Sequence, residues 1–301
     1  MHKKILAVYY TQSGQMAEIM NSFTSPLIEA GASVEKAVIR PVADYDFPWT
    51  GKRFFSVMPS CVLGIPEPLQ PLVLKEQSYD LIIFGYQPWF LSPSIPSNSI
   101  LQNTAFRALL KDTPVITISA ARNMWINAFV RVRNTLSDSG ARMVGHIALV
   151  DKHPNLISFV TIFYWMLSGK KKRFLNLFPT PGVSEKDIAD TKEFGKTVAK
   201  YISLNTWNEM QDELVKQKAV EINYNLMFIE ARAKPIFAAW ATFISKRKNR
   251  SPWLTIFKYY LFVALFLGAP VLLILDSMFI KPLSSKKIKA KKITYSTFAG
   301  N

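Results

Sequence analysis

A short stretch of small and polar residues, TQSGQ at positions 11–15, lies between an apolar run and a helical pattern. Small residues let backbone N–H groups turn inward onto one dianion, and the start of the following helix adds its positive dipole end. A phosphate group can be bound in this way without a basic side chain, and the loop contains none. A plain turn without a ligand is the alternative for these residues by themselves. The residues that would surround the phosphate are Thr11, Gln12, Ser13, Gly14, Gln15 and Met16.

Two later loops carry side chains that could complete such a site. The first offers an amide and two aromatic rings, and it consists of Gln87, Pro88, Trp89 and Phe90. The second offers polar groups ahead of a tryptophan, and its candidate residues are Ser119, Ala120, Arg122 and Asn123. Aromatic residues often pack in a core rather than on a ligand, and Arg122 alone also fits an ordinary surface charge. If the loops converge, Gln87, Arg122 and Asn123 are the candidate catalytic groups, with Arg122 as partner of an oxyanion.

The elements around these loops alternate between apolar runs and helical periodicity, which predicts a parallel sheet with helices on both faces. Residues 40–74 lack a clear period and are predicted to be a long covering loop with room for one short helix. In a doubly wound sheet of order 2-1-3-4-5, the loops after strands 1, 3 and 4 meet at one crevice. The three candidate loops occupy those places. The predicted strands are 4–10, 33–39, 80–86, 113–119 and 142–150, and the predicted helices are 16–30, 100–111, 127–139 and 184–204.

The histidines show no metal-ligand spacing, and no Gly-x-Ser-x-Gly elbow is present, so no metal is predicted and hydrolases are disfavoured. The single cysteine, Cys61, excludes an internal disulfide and fits a reducing compartment. The first residues lead straight into a strand without the apolar core of a signal peptide. We therefore expect the catalytic body to lie in the cytoplasm.

The charge of the chain is concentrated near its end. Of a net charge of +16, +10 lies after Ser245, where eleven Lys and Arg residues accompany one acid, Asp276. All of these basic residues except Lys258 flank the apolar segment 253–280, whose centre at 259–275 carries no charge. That arrangement favours a membrane over nucleic acid. A single span and a hairpin that dips into the bilayer at Gly268-Ala269-Pro270 both fit the pattern.

The predicted organisation is therefore a phosphate-binding α/β domain at 1–204 and a helical C-terminal region at 205–301. The α/β domain contains an insertion at about 154–181. Within it, 156–167 is apolar and aromatic, and Lys170, Lys171, Lys172 and Arg173 follow. This is typical of an interfacial membrane element, and an ordinary buried helix with a solvated end is the alternative.

The loop at 11–15 resembles the Thr-x-Thr/Ser-Gly-x-Thr loop with which flavodoxins bind the phosphate of flavin mononucleotide (FMN). Met16 departs from that pattern, because it replaces the final hydroxyl residue. The aromatic, proline-containing loop at Gln87 is similar to the loop that flanks the flavin ring in flavodoxins and flavin-dependent quinone reductases. The resemblance implies a flavodoxin-like five-stranded parallel sheet of order 2-1-3-4-5 with FMN as cofactor.

A more specific resemblance rests on the segments MHKKILAVYYTQSGQ, FGYQPWFLSPSIPS and ISAARNMW, together with the basic, apolar C-terminal region. They resemble the flavodoxin-like DarA family of dialkylresorcinol biosynthesis, which is found with flexirubin and aryl-polyene pathways. With the apolar segment 253–280 and no signal peptide, we expect a membrane-associated enzyme at the cytoplasmic face of the inner membrane. The resemblance implies that its substrate is a lipophilic dialkyl-cyclohexanedione made by a partner ketosynthase, aromatised with FMN as hydride acceptor.

Two other classes of function remain open. A membrane-attached FMN-dependent quinone reductase or electron carrier would use the same crevice with a different acceptor. A scaffold for the ketosynthase without any cofactor is the third interpretation, and Met16 at the last position of the phosphate loop gives it support.

Overall fold

Continuous runs of Val, Ile and Leu form the centre of the protein, where strands are buried on both faces as parallel strands require. The computed structural model describes residues 3–298. Its main sheet is parallel and has the order β2-β1-β3-β6-β7, which is 2-1-3-4-5 among the five strands of that sheet. The predicted flavodoxin-like fold is confirmed. The five strands are β1 (Lys4–Tyr9), β2 (Ser33–Val38), β3 (Leu81–Tyr86), β6 (Pro114–Ala121) and β7 (Arg142–Val150).

Helices cover both faces of this sheet. On one face α1 packs closely on α8, where a Cβ added to Gly195 would lie 2.1 Å from the backbone oxygen of Phe23. Ser184 accepts a hydrogen bond from the N–H of Asp187 and caps α8. The helices of the α/β part are α1 (Gln15–Glu29), α2 (Gly51–Ser56), α3 (Met58–Leu63), α4 (Ile95–Gln102), α5 (Thr104–Leu110), α6 (Ile126–Asp138), α7 (Asn155–Ser168) and α8 (Glu185–Ser203).

Three stretches differ from the sequence prediction. The covering segment 40–74 contains two short helices, α2 and α3, instead of one. The helix expected over 100–111 is divided, because Asn103 is extended and its side chain accepts from the N–H of Phe106, which ends α4 and caps α5. The loop expected over 87–99 contains the first half of α4 and a small antiparallel hairpin of β4 (Pro88–Trp89) and β5 (Ser92–Pro93).

The C-terminal region starts against the edge of the sheet. Met210 and Leu214 of α9 (Met210–Lys216) are buried in the same core as β1, and Val220 pairs in parallel with Ala148 of β7. The long helix α10 (Tyr224–Ser245) follows. The domain boundary placed at residue 204 stays a prediction, and residues 1–2 and 299–301 of that division lie outside the described range.

One helix within residues 3–298, Ser251–Ile280, is long and apolar enough to cross a membrane. It consists of α11 (Ser251–Val263), a π-helical turn, α12 (Ala269–Leu275) and a second π-helical turn. The backbone stays helical through Gly268-Ala269-Pro270 and does not fold back there. A short 3-10 turn leads to α13 (Ser285–Thr297), which lies against α9 and β7.

Candidate functional site

The loops after β1, β3 and β6 meet at the carboxyl ends of the strands and form a crevice of about 240 Å³. This is the position at which doubly wound sheets bind their ligands, because neighbouring connections there leave toward opposite faces. The crevice has a polar floor at the start of α1 and aromatic walls from the hairpin β4–β5 and from the segment before α2. Helix α7 covers it with Phe159, Ile162, Trp165 and Met166.

The polar floor is made by backbone groups at the start of α1. Gly14 has a φ of 89°, in the left-handed region that favours glycine, and it turns the chain from β1 into the helix. No side chain caps α1, and among the described residues nothing accepts a hydrogen bond from the backbone N–H groups of Ser13, Gly14, Gln15 and Met16. Free donors at a helix start, together with the helix dipole, form an anion-binding site.

Two glutamines of the predicted phosphate loop have structural partners. The amide of Gln12 donates to the carbonyls of Tyr45 and Asp46 and accepts from the indole N–H of Trp49 at 3.0 Å. The amide of Gln15 exchanges hydrogen bonds with the backbone of Val183 at 3.1 and 3.3 Å. Both side chains therefore hold covering loops in place, and only the backbone of these positions is available to a ligand.

The side chains of Ser13, Thr11 and Met16 in this loop differ in burial and in their contacts. Ser13 lines the crevice, and its side chain is exposed. The hydroxyl of Thr11 is buried and has no hydrogen-bond partner in the described part of the chain. The side chain of Met16 is buried in the core against Gly85, where a Cβ would lie 3.0 Å from its sulfur. Met16 thus fills the space where the flavodoxin loop would present a hydroxyl.

The hairpin β4–β5 is held in an unusual conformation. Its two turn residues, Phe90 and Leu91, have φ values of 47° and 63°, which side chains of this kind rarely adopt. The buried thiol of Cys61 donates to the carbonyls of Trp89 and Pro93, and Phe54 packs on Phe90 with ring centroids 4.8 Å apart. This support fixes Phe90 at the wall of the crevice.

The other residues of that loop form the aromatic wall. Trp89 packs edge-on against Tyr45 and Trp49 at centroid distances of 5.1 and 5.4 Å. The amide nitrogen of Gln87 donates to the carbonyl of Tyr10 at 2.7 Å, while its oxygen is buried without a partner among the described residues. That oxygen is an acceptor in a crevice that a ligand N–H group could occupy.

Arg122 is an anchored cation in the wall of the crevice. Its Nη1 donates to the carbonyl and the side-chain oxygen of Asn155 at 2.9 and 2.8 Å and to the hydroxyl of Ser158. Burial lowers the pKa of the Arg122 guanidinium to about 10, and the nearby Asp151 carboxylate opposes that shift. The guanidinium is therefore charged at neutral pH. Within residues 3–298 its Nη2 and Nε have no hydrogen-bond acceptor, so they can bind a ligand oxygen.

Beyond this wall lies a second, larger space of about 490 Å³, which we call the chamber. Its walls come from α7, from α10 and from the helix Ser251–Ile280, and they are almost entirely apolar. Arg122, Asn123 and Arg232 are its charged or amide residues. The side-chain nitrogen of Asn123 donates to Asn155 at 2.8 Å, and its oxygen is buried without a described partner. The residues that line both the crevice and the chamber are Phe54, Pro88, Phe90, Arg122, Phe159 and Phe163.

The predicted site residues are thus only partly brought together. Gln87 and Arg122 lie in the wall of the crevice, and Ala120 lines it. Asn123 lines the chamber instead. Ser119 is fully buried in β6 and contributes to neither cavity.

Several residues of the site were missed by sequence reasoning. Asn155 and Ser158, which position Arg122, stand at the start of α7, and Asp151 lies between β7 and that helix. Glu230 of α10 accepts from the N–H of Asn127 at 2.6 Å and binds α10 to the first turn of α6. The sequence signal for Asn155 and Ser158 was their position at the start of the apolar stretch 156–167. Polar groups beside an apolar helix need hydrogen-bond partners.

No protein-family model matches the chain, and no curated protein matches it. Solved structures share its fold. A flavoprotein in complex with FMN from Lactobacillus acidophilus NCFM is 20% identical over 48% of this chain and 93% of its own, with a TM-score of 0.40. A flavodoxin from the domain Archaea is 11% identical over 66% of this chain and 99% of its own, with a TM-score of 0.37.

An oxidised flavodoxin from Bacillus cereus is 15% identical over 64% of this chain and 94% of its own, with a TM-score of 0.32. These identities concern the fold alone. The flavodoxin-like fold of this chain follows from its own strand order, β2-β1-β3-β6-β7.

Proposed function

We propose that the protein is a membrane-associated, FMN-dependent oxidoreductase that acts on a lipophilic ring compound. The observation that supports this most is the junction of two unlike cavities. A crevice with free N–H groups at a helix start shares a wall, which contains Arg122, with an apolar chamber bounded by the long apolar helix.

The residues of the crevice fit FMN. The N–H groups of Ser13, Gly14 and Met16 and the buried hydroxyl of Thr11 would bind the phosphate, since none of these donors has a partner in the described chain. The Gln87 oxygen and the aromatic residues Trp89 and Phe90 would border the ring. The crevice alone, at about 240 Å³, is smaller than the roughly 300–1,000 Å³ typical of small-molecule sites. FMN would therefore fill the crevice, and the substrate would lie in the chamber on the other side of the shared wall.

The specific reaction that we propose is aromatisation of a dialkyl-cyclohexanedione to the dialkylresorcinol, as the resemblance to the DarA family implies. The ring loses one hydride and one proton in this step. When bound, the flavin supplies the two-electron acceptor. Arg122 binds the substrate oxyanion with its free Nη2 and Nε, because a fixed cation stabilises an enolate in a site from which water is excluded. Gln87 and Asn123 contribute the neutral polar contacts.

The chamber would receive the alkyl arms of that substrate. Each buried CH₂ group contributes about 0.8 kcal/mol, so an arm of several carbons can determine affinity by itself. Because the helix Ser251–Ile280 forms one wall, the substrate would enter from lipid. We place the protein at the cytoplasmic face of the inner membrane, with a ketosynthase as the partner that supplies the diketone and with no role for nucleic acid.

Reconstitution with FMN tests the proposal. The purified protein should show flavin absorbance bands after FMN is added and excess cofactor removed. Anaerobic mixing with a dialkyl-cyclohexanedione should bleach those bands and yield the resorcinol by mass spectrometry. Absence of flavin bands would reject both enzyme interpretations and leave the scaffold. A bound flavin that the dione does not bleach, but a reduced nicotinamide does, would indicate the quinone reductase.

A further inference from the structure

The helix Ser251–Ile280 is long enough to span a bilayer, yet it contacts the rest of the protein along its whole length. Phe257, near its start, is fully buried between Phe55 of α2 and Phe237 of α10. Asp276, near its end, is buried and accepts a hydrogen bond from Tyr224 at the start of α10. Between them Phe262 packs edge-on against Phe159 and Phe163 of α7.

This distribution of contacts decides whether the helix crosses the bilayer or lies along its surface. Phe257 and Asp276 lie 19 residues apart, which is about 28 Å along a helix, and the hydrocarbon core of a bilayer is about 30 Å thick. If this helix crossed the membrane, α10, which it contacts at both of these residues, would have to lie inside the hydrocarbon beside it. Helix α10 carries Glu230, Arg232 and Lys234, and the last two are exposed, which hydrocarbon does not tolerate.

The segment after the helix gives a second, independent argument. Helix α13 packs beside the edge of the sheet. Gln211 of α9 donates to the carbonyl of Ser296 at 2.7 Å, and Ile288 and Tyr295 contact the cluster that contains Ala148 of β7. In a single span α13 would be on the opposite side of the membrane from α9. Both flanks of the apolar helix are instead anchored to the same domain.

The outward face of this helix is apolar and largely uncovered. Only 11% of its most apolar stretch is buried, and Leu267, Val271 and Ile274 are each more than half exposed. Basic residues flank the face at both ends. They are Lys246, Arg247, Lys248 and Arg250 before it, and Lys281, Lys286, Lys287, Lys289, Lys291 and Lys292 after it.

From these observations we infer that Ser251–Ile280 lies in the plane of an anionic membrane surface, on one side of the bilayer, and does not cross it. The exposed face enters the acyl region, and the two basic flanks bind anionic headgroups on the same leaflet. The chamber, which this helix borders, then opens at lipid depth. The inference rests on the membrane association proposed above and is independent of the flavin chemistry.

Accessibility of introduced cysteines tests the topology. Three exposed serines are each replaced: Ser251→Cys before the helix, Ser285→Cys after it, and Ser203→Cys on α8 as the reference for the α/β domain. Cys61 is buried and hydrogen-bonded, so the native cysteine should not react with the maleimide. A membrane-impermeant maleimide should label all three in inverted vesicles at rates within about threefold, and none in right-side-out vesicles. Labelling of Ser285→Cys only from the opposite side to Ser203→Cys would overturn the inference.

A fluorescent probe on Leu267→Cys identifies what covers the exposed face. With vesicles that contain phosphatidylglycerol, its emission should shift to the blue and be quenched by lipid-attached nitroxides, whereas the same probe on Ser203→Cys should not respond. If the blue shift depends on protein concentration and not on the presence of lipid, a second copy of the chain covers this face, and the inference is overturned. Protein that fails to sediment with any vesicle would reject the membrane association itself.

The basic flank is tested with a charge-reversal pair on α13. Lys287→Glu with Lys291→Glu should weaken binding to anionic vesicles at least tenfold, because each basic residue near such a surface contributes about 1 kcal/mol. The matched control, Lys75→Glu with Lys111→Glu, changes exposed residues of the α/β domain by the same charge and should leave binding within about twofold. Equal loss in both pairs would contradict a role for the flank.

Discussion

The crevice and the chamber meet at Arg122, but they are built from different parts of the molecule. The crevice is made by three loops that follow strands of one sheet, and its anion-binding groups are backbone N–H groups at the start of α1. The chamber is made by side chains of α7, α10 and Ser251–Ile280 that come together only through tertiary packing. The first therefore depends on local backbone geometry, and the second depends on how the C-terminal helices are held.

This difference separates two properties that an enzyme of this kind needs. Cofactor affinity should depend on the crevice and be insensitive to the chamber, whereas selectivity for substrate chains should show the opposite dependence. Arg122 belongs to both walls, and its replacement should affect turnover without affecting either binding step strongly. Variants on each side of the wall can confirm or reject this separation.

The largest effect is expected for Ser13→Glu in the crevice. Ser13 is exposed and makes no hydrogen bond in the described structure, so the protein should fold normally. A carboxylate at about 4 Å from a phosphate costs about 4 kcal/mol at the dielectric typical of protein surfaces. The affinity for FMN should therefore fall about 1,000-fold, as measured by quenching of flavin fluorescence.

The control for this variant is Ser13→Ala, which removes one neutral donor and should cost no more than about tenfold. If Ser13→Glu binds FMN as tightly as the unchanged protein, the phosphate does not lie at the start of α1. The crevice would then lose its proposed role.

Replacement of Arg122 by Gln is expected to reduce the rate of flavin bleaching by the dione about 100-fold, because loss of one donor to a developing oxyanion costs about 3 kcal/mol. FMN affinity should change less than threefold. Stopped-flow absorbance gives the rate, and the fluorescence titration gives the affinity. Arg232→Gln is the matched control, since Arg232 also borders the chamber but lies exposed over the ring of Phe228. Similar losses in the two variants would argue against a specific role for Arg122.

Glu230, which binds α10 to the first turn of α6, is buried. Burial raises the pKa of the Glu230 carboxyl from 4.5 to about 7, against the hydrogen bonds from the N–H groups at the start of α6. Between pH 4.5 and 7 the folded protein thus binds more protons than the unfolded chain, and the free energy of unfolding should fall as pH rises. A shift of this size corresponds to about 3 kcal/mol.

Glu230→Gln keeps an acceptor for Asn127 and removes the charge, so its stability should be nearly independent of pH in this interval. Urea unfolding at pH 5 and pH 8, in the same detergent, measures the difference. Glu193→Gln, at an exposed position of α8, should keep the pH dependence of the unchanged protein. A slope that persists in Glu230→Gln would assign the titration to another group.

Much of the crevice could be predicted from sequence because each of its parts is local. The run at Leu81–Tyr86 is buried at every position, as a central parallel strand must be, and the loop with Gly14 follows from the need for a left-handed residue before α1. Met16 was the weak position of the pattern, and its side chain is indeed buried in the core.

The rest could not be predicted for physical reasons. Nothing in Phe90-Leu91 signals a tight turn, since neither residue is the Gly or Asn that positive φ favours. The chamber combines Phe54, Phe159 and Leu265, which are about a hundred residues apart in sequence, and periodicity reports only neighbours within one element. From the sequence, the side chains of Gln12 and Gln15 were expected to contact a ligand. Only the tertiary structure shows that both are hydrogen-bonded to covering loops.

The smallest effect is expected for a variant that changes the chamber alone. Ala269 is nearly buried on the chamber side of the helix Ser251–Ile280, and Leu267 of the same helix is 65% exposed on the outward face. Ala269→Phe should fill part of the space for an alkyl arm. Loss of about two buried CH₂ groups corresponds to about 1.6 kcal/mol, so kcat/KM for a long-chain dione should fall about tenfold, while a short-chain dione and FMN binding stay unchanged.

Leu267→Trp is the matched control, because it adds bulk to the same helix on the face that does not line the chamber. It should leave the ratio of long-chain to short-chain kcat/KM unaltered. If Ala269→Phe lowers both substrates equally, the alkyl arm does not occupy the chamber, and the defect lies in the packing of α12 on α10. If it lowers FMN affinity as well, the crevice and the chamber are one site and the separation between them fails.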